Sequence, residues 1–338
     1  MTKVRIQAPG RLHFGLLGWG THAVRQFGGF GLMIDNPFLE LVAEHAEHDE
    51  VISGSTERAC LSDRLMTIRH NLESIGLNMP PTRIQFEAEL PAHHGLGSGT
   101  QATLAMTEAA MILSGIESPT KSDIVARANR FPRSGVGTHG YFSGGLIVDE
   151  GHPAGIVEPS EPARLSLRSS WPEDWHIVTI VPDEDAGHSG KRERAAFETL
   201  PHPTQRAMSE VSDIIHQAFL PAFEAPAPEF EKAMNSLETV QRIVGGWFAP
   251  AQGGHLYGSV QRDRLIDELR ELGLRGLGQS SWGPTIFGFS RSTPSRIRET
   301  LDAFFNSPTI ESPSRCRIVS ANNQGRRIFM DRQADRTS

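Results

Sequence analysis

Residues 91–105 read PAHHGLGSGTQATLA, and no other stretch restricts the fold as much. Gly95, Gly97 and Gly99, with Ser98 and Thr100 among them, stand between a segment of strand period and one of helical period. A plain turn needs one or two such residues; a loop that wraps its backbone around a phosphate needs more. Glycine lets the backbone take positive φ and come close to a ligand. Successive N–H groups in such turns form an anion-binding concavity. The helix that follows adds free N–H groups and a positive dipole end at the same point. Ser98 and Thr100 serve either as helix caps or as ligand and metal contacts. The spacing is neither Walker A, which ends in Gly-Lys-Ser/Thr, nor GxGxxG. A strand-to-helix turn with a hydroxyl cap accounts for the same residues without a ligand, and the local pattern leaves both readings open.

Elsewhere the chain mixes strand and helix patterns without a strict βαβ order. VRIQAPGRLHFGL reads as a strand interrupted at Pro9-Gly10, and LELVAEH and TRIQFEAEL alternate as strands. Helical spacing runs through ACLSDRLMTIRHNLESIG, stopping at Gly76, through TQATLAMTEAAMILSG, stopping at Gly115, and through SPTKSDIVARANR. GTHGYFSGGLIVDEG reads as a glycine-rich strand or hairpin, and residues 151–172, with several prolines, as a connection between lobes. Beyond it come a buried strand (WHIVTIVPD), helices in KRERAAFETL, QRAMSEVSDIIHQAFLPAF, EFEKAMNSLETVQRIV, RDRLIDELRELG and PSRIRETLDAFF, and strands in GQSSWGPTIFGFS and SRCRIVSANN. The polar tail after Arg327 reads as loose. This order implies an α+β fold with two lobes, 1–160 and 161–338.

With 338 residues the chain can bury a sizeable core. A net charge of −7 argues against a nucleic-acid binder as a whole. Cys60 and Cys316 are too few and too far apart for a disulfide framework or a thiolate metal site. No run of about eighteen apolar residues suggests a membrane span. The first residues, MTKVRIQAPGRLHF, read as a strand and not as a signal segment. A cytoplasmic protein is the default expectation.

PAHHGLGSGTQA resembles the second motif of the GHMP kinases, APGRLHFGL resembles their first, and GLGQSSWGPTIFGF (276–289) sits where their third belongs. The resemblance implies a GHMP-kinase-type fold, with an N-terminal lobe like ribosomal protein S5 domain 2 and a C-terminal ferredoxin-like α/β sandwich. The chain departs from the kinases in three places. In RSGVGTHGYFSGG, Gly137 or Thr138 stands where many of them carry a catalytic Asp. The second loop serine is Gly99, so the usual magnesium hydroxyl is either taken over by Thr100 or replaced by the ligand and water. Gln279, Ser280, Ser281 and Trp282 replace a run of glycines. Together with FGGFGLMID and GHSGKRERAAF, these motifs are similar to the β-ribofuranosylaminobenzene 5′-phosphate synthases of methanopterin biosynthesis. That resemblance implies the reaction of phosphoribosyl pyrophosphate with 4-aminobenzoate, or a hydroxylated relative. The products are an aryl C-riboside 5′-phosphate, carbon dioxide and pyrophosphate. It also implies magnesium or another divalent ion, no ATP and a homodimer. A true GHMP kinase and a non-catalytic sensor are the competing readings.

Such a site must hold two phosphate groups and one carboxylate and neutralise charge on the leaving pyrophosphate. Gly95, Leu96, Gly97, Ser98, Gly99, Thr100 and Gln101 are the expected cradle. Arg11 and His13, alternate residues on a strand, point the same way. Arg133, Ser134 and His139 surround the vacant acid position, where Arg133 can clamp an anion bidentately. Arg25 and Gln26 precede the flexible FGGFG loop, and one of His93 and His94 can touch an anion. Lys191, Arg192 and Arg194 fall in the first turn of a helix, where cations oppose the dipole unless an anion docks. Ser189 either caps that helix or touches the ligand. Gln279, Ser280 and Ser281 form a polar wall across from the loop. Trp282 stacks on the arene or belongs to the core. Asp35 and Glu108 are possible metal contacts without support from spacing, and the metal ligands stay unknown.

Overall fold

The computed structural model describes residues 2–55, 57–129, 135–156, 159, 161–181, 190–306 and 315–332, the side chains of 190–194 and 332 excepted. Its first half holds β1 (Thr2–Leu16), β2 (Arg25–Gln26), β3 (Gly29–His45), β4 (Glu50–Ile52), α1 (Arg58–Glu73), β5 (Thr82–Ala88), α2 (Ser98–Leu113), α3 (Lys121–Arg127), α4 (Val136–Ser143) and β6 (Leu146–Asp149). Next come β7 (His152–Pro153), β8 (Leu165–Ser169), β9 (His176–Val181), α5 (Gly190–Thr199) and α6 (Gln205–Asp213). A π-helical turn, Ile214–Phe219, leads into α7 (Leu220–Phe223). The chain finishes with α8 (Phe230–Phe248), α9 (Val260–Glu271), β10 (Arg275–Gln279), β11 (Ile286–Ser290), α10 (Pro294–Phe305), β12 (Arg315–Val319) and β13 (Arg327–Arg332).

Seven strands form the first sheet, in the order β13-β1-β3-β5-β4, with β6 pairing β3 and β8. Strand β3 pairs with β1 and is long enough to serve two further neighbours: Gly29–Leu32 pairs with β6, and Glu40–His45 with β5. The Pro9-Gly10 interruption is a register shift inside one continuous strand. It brings Gly10 so close to β3 that an added Cβ would lie 2.6 Å from the Pro37 carbonyl oxygen. Helices α2 and α4 pack on this sheet. Helix α2 is buried at every position from 100 to 113 except Thr103, as its nearly all-round apolar sequence requires.

The second sheet is antiparallel in the order β10-β11-β9-β12. Its strands come from a β-α-β-β-α-β run, the ferredoxin-like arrangement. Period-2 alternation divides its two faces. Val178, Ile180, Leu277 and Ile286 pack with Ile266 and Leu269 of α9 and Ile297 and Leu301 of α10. Ile177, Phe287 and Phe289 face the other way and join the core of the first sheet. Phe14 of β1 meets Phe287 at 5.0 Å between ring centres, and Trp171 meets Phe289 at the same separation. The two lobes therefore share one apolar seam.

Three expectations change. Residues 137–143, read as part of a strand or hairpin, belong to helix α4. Their glycines serve close packing, because a Cβ on Gly140 would overlap the Met33 side chain. The stretch 151–172 is more than a connection: β7 pairs β2 and β8 pairs β6. The tail after Arg327 begins as β13, an edge strand on β1 from Gln7↔Arg327 to Thr2↔Arg332. Strands β8 and β13, both past residue 160, thus hydrogen-bond in the first sheet. Among the described residues, no helix is long and apolar enough to cross a membrane. Cys60 is exposed and Cys316 half-buried, and neither is in a disulfide.

Candidate active site

The glycine loop ends β5 and opens α2. Gly95 and Gly97 take φ of +78° and +79°, and Gly97 caps the helix in the left-handed conformation that other residues resist. Thr100 and Gln101 N–H close back on the Gly97 carbonyl at 3.0 and 3.1 Å. The N–H groups of Gly97, Ser98 and Gly99 have no acceptor among the described residues. These are the orphan donors of a helix start.

Two chain segments far away in sequence hold the loop in place. On one side Arg11 N–H donates to the Leu96 carbonyl at 3.0 Å. On the other, the Ser280 hydroxyl donates to the Gly95 carbonyl at 2.7 Å and accepts the His13 N–H at 2.9 Å. Ser281 N–H returns to the His13 carbonyl at 3.1 Å, and the Thr285 hydroxyl donates to the His94 carbonyl at 2.6 Å. The Gln279 N–H donates to Gln241 Oε1 at 2.9 Å, while the Gln241 amide donates to the Phe14 carbonyl. The first, second and third motif segments therefore meet at one place, and the site lies where the lobes join.

The Arg11 side chain runs along the loop. Its Cδ is 3.2 Å from the position a Cβ would take on Gly97, and both Cδ and Nη1 are 3.6 Å from that position on Gly137. A Cβ on Gly137 would also stand 3.3 Å from Thr100 Cγ2. Position 137 thus faces the loop, as a catalytic acid would, and carries no side chain. Gln101 is fully buried and donates to the Gly137 carbonyl at 2.9 Å, fastening α4 to α2. His13 is buried, and burial followed by the neighbouring Arg11 charge pushes its pKa well below the ordinary imidazole value. Its ring is neutral at neutral pH.

Other expected residues stand elsewhere. His139 has both ring nitrogens engaged, Nδ1 with Lys121 Nζ at 2.9 Å and Nε2 with the Ala163 carbonyl at 2.6 Å. Arg25 spends its guanidinium on the Glu150 and Gly151 carbonyls at 2.9 and 2.8 Å, and Gln26 spends its amide on Gly20. Trp282 is a core residue, 4.4 Å from Phe248 and 5.6 Å from Phe197 between ring centres. His93 pairs with Glu57 at 3.4 Å, and His94 with the Ala92 carbonyl at 2.6 Å. Arg133, Ser134 and Ser189, and the side chains of Lys191, Arg192 and Arg194, lie outside the described residues.

Both acidic candidates have partners of their own. Asp35 accepts the Ser320 N–H at 3.0 Å, and Glu108 is locked by Arg326 at 2.7 Å and Tyr141 at 2.6 Å. Among the described residues no cluster of three metal-ligating side chains exists, so they do not form a protein cage for magnesium. Sequence reading missed Arg64 of α1, whose Nη1 donates to the Gly99 carbonyl at 3.1 Å. It also missed Thr285 and Gln241. None of these lies in a recognisable motif, since only the fold brings them to the loop.

The fold and the loop define a GHMP-kinase-type protein. The family description "GHMP kinases N terminal domain" matches residues 64–142. Mevalonate pyrophosphate decarboxylase from Streptococcus pyogenes has a similar fold, with a TM-score of 0.68 at 13% identity over 95% of this chain and 97% of that one. Homoserine kinase from Cytophaga hutchinsonii superposes with a TM-score of 0.60 at 17% identity over 97% of both chains. Within that class, an Archaeoglobus fulgidus protein named β-ribofuranosylphenol 5′-phosphate synthase is 30% identical over 95% of this chain and 98% of its own. The protein of that name from Methanothermobacter thermautotrophicus is 26% identical over 95% and 97%. The chain belongs to this family, the β-ribofuranosylphenol 5′-phosphate synthases.

Proposed function

We propose that this enzyme joins phosphoribosyl pyrophosphate to a 4-substituted benzoate. The products are the β-ribofuranosyl arene 5′-phosphate, carbon dioxide and pyrophosphate, on the route to methanopterin. The relatives' name carries a phenol, which favours 4-hydroxybenzoate over 4-aminobenzoate as the arene. Family membership supports this reading. One observation carries it against a kinase: the position that faces the loop from α4, beside Arg11 and Thr100, is a glycine.

The chemistry suits a site without a base there. The bond from the anomeric carbon to pyrophosphate breaks, and the electron pair leaves with pyrophosphate. The ring carbon bearing the carboxylate, made nucleophilic by the para hydroxyl or amine, forms the new carbon–carbon bond. The carbon–carboxylate bond then breaks, and its electron pair restores the aromatic ring as carbon dioxide departs. No proton has to be removed from that carbon. The site's work is to hold the anions and stabilise the charge on the leaving group, and this reading gives that work to N–H groups 97–99 and Arg11, which lies beside Gly97. Magnesium would come with the pyrophosphate of the substrate and would supply further positive charge for the leaving group. In this reading the partners are small molecules, without ATP, nucleic acid or membrane. The cytoplasmic homodimer implied by the family resemblance is read by light scattering and cell fractionation.

The test uses 4-hydroxybenzoate and 4-aminobenzoate labelled in the carboxyl carbon, with phosphoribosyl pyrophosphate and magnesium. Labelled carbon dioxide and pyrophosphate released in equal amounts are the expected result. Folded protein that releases neither, or that instead consumes ATP on an alcohol, overturns the reading.

A further inference from the structure

Arg64 stands on α1, whose buried side is Leu61, Leu65, Ile68 and Leu72, at the edge nearest α2. Its Nη1 donates to the Gly99 carbonyl at 3.1 Å. That carbonyl already accepts the Thr103 hydroxyl at 2.7 Å, so it does not depend on Arg64. Arg64 enters no ion pair among the described residues. A guanidinium at the first turn of a helix is repelled by the positive dipole end, an arrangement that a bound anion reverses. The backbone also leaves room for it: a Cβ at position 99 would lie 3.4 and 3.5 Å from its two terminal nitrogens, so a longer side chain would crowd them. Across the loop, Arg11 runs past Gly97, with its Cγ and Cδ 3.2 Å and its Nε 3.3 Å from where a Cβ would stand. One arginine thus lies beside Gly97 and another beside Gly99.

We infer that Arg64 is a substrate-anchoring residue, in which the guanidinium edge not used on Gly99 binds an oxygen of the leaving pyrophosphate. The inference rests on the reading that this loop holds phosphoribosyl pyrophosphate. With Arg11, it places two positive charges on a leaving group that departs with about three negative ones, in a site whose described residues form no metal cage.

The test is calorimetric titration of inorganic pyrophosphate with magnesium into wild type, Arg64→Gln and Arg64→Lys, beside KM for each substrate. Arg64→Gln is expected to weaken pyrophosphate binding and raise KM for phosphoribosyl pyrophosphate by about ten- to a hundredfold, the range of one charge-assisted hydrogen bond. KM for the benzoate stays within about twofold, and Arg64→Lys recovers part of the loss. Thermal unfolding of each variant separates this from misfolding. If Arg64→Gln binds pyrophosphate as wild type does, the assignment of Arg64 falls while the reaction stands. If wild type itself binds neither pyrophosphate nor phosphoribosyl pyrophosphate, the functional reading falls with it.

Discussion

The Ser280 hydroxyl donates to the Gly95 carbonyl at 2.7 Å, and this bond ties the third motif to the glycine loop across 185 residues of chain. The same oxygen accepts the His13 N–H, so one hydroxyl registers three segments. Ser280→Ala leaves a buried N–H and a carbonyl without partners, which costs about 1–3 kcal/mol of stability. A chemical denaturation midpoint reads that loss, and KM for phosphoribosyl pyrophosphate rises in the same variant. Gly95→Ala is harsher: its Cβ would overlap the Ser280 carbonyl oxygen at a φ of +78°. Product formation is expected to fall at least about tenfold, since the loop must move off its N–H geometry.

Glu108 is a structural carboxylate. It is buried, held by Arg326 at 2.7 and 3.0 Å and by the Tyr141 hydroxyl at 2.6 Å. Glu108→Gln breaks one side of a buried pair and leaves Arg326 uncompensated, at a cost of about 3–5 kcal/mol. The urea midpoint drops accordingly. The magnesium concentration for half-maximal activity stays at the wild-type value, and a large rise would make Glu108 a metal ligand after all.

Acid should destabilise the fold through His139. Burial, then the nearby Lys121 charge, pulls its pKa from 6.5 down to about 4, against a weaker upward pull from the Ala163 carbonyl. Below 6.5 the unfolded chain binds a proton that the folded chain refuses. Stability is therefore complete above pH 6.5 and is lost as pH falls toward 4, by on the order of 3 kcal/mol. His13 acts in the same direction. Urea midpoints measured across this window should show a shallower slope for His139→Gln than for wild type. An unchanged slope would remove His139 from the account.

The loop and the two lobes were legible because local rules govern them. A strand period, a glycine cluster and a helix period fix β5, the turn and α2 whatever else the chain does. Helix α4 was not legible, because Gly137 and Gly140 read as turn residues. Only close approach to Arg11, Thr100 and Met33 makes them suit a helix. Strand β13 was hidden for a similar reason: its pairing partner, β1, is over 300 residues away. At the site, residue type announced Arg11 and the loop. It could not show that His139 and Arg25 are spent on backbone carbonyls, or that Arg64 arrives from α1. Those facts depend on which helix packs where.

Gly137→Asp tests the difference between this enzyme and the kinases whose fold it shares. The new Cβ stands 3.6 Å from Arg11 Cδ and Nη1 and 3.3 Å from Thr100 Cγ2, so the Thr100 methyl must give by a few tenths of an ångström. The carboxylate would therefore lie within reach of Arg11 and form an ion pair with it. An Arg11 neutralised in this way has less charge to offer pyrophosphate, and the new anion repels that group directly. Losing one charge-assisted contact predicts a rise of about ten- to a hundredfold in KM for phosphoribosyl pyrophosphate. Binding of the benzoate alone should change far less, because its ring does not require the Arg11 charge. No ATP-dependent phosphorylation is expected to appear, since a base without a hydroxyl held beside it has nothing to deprotonate. Steady-state kinetics on both substrates and an ATP-consumption assay check the two halves separately. An unchanged KM would mean that Arg11 does not meet the pyrophosphate.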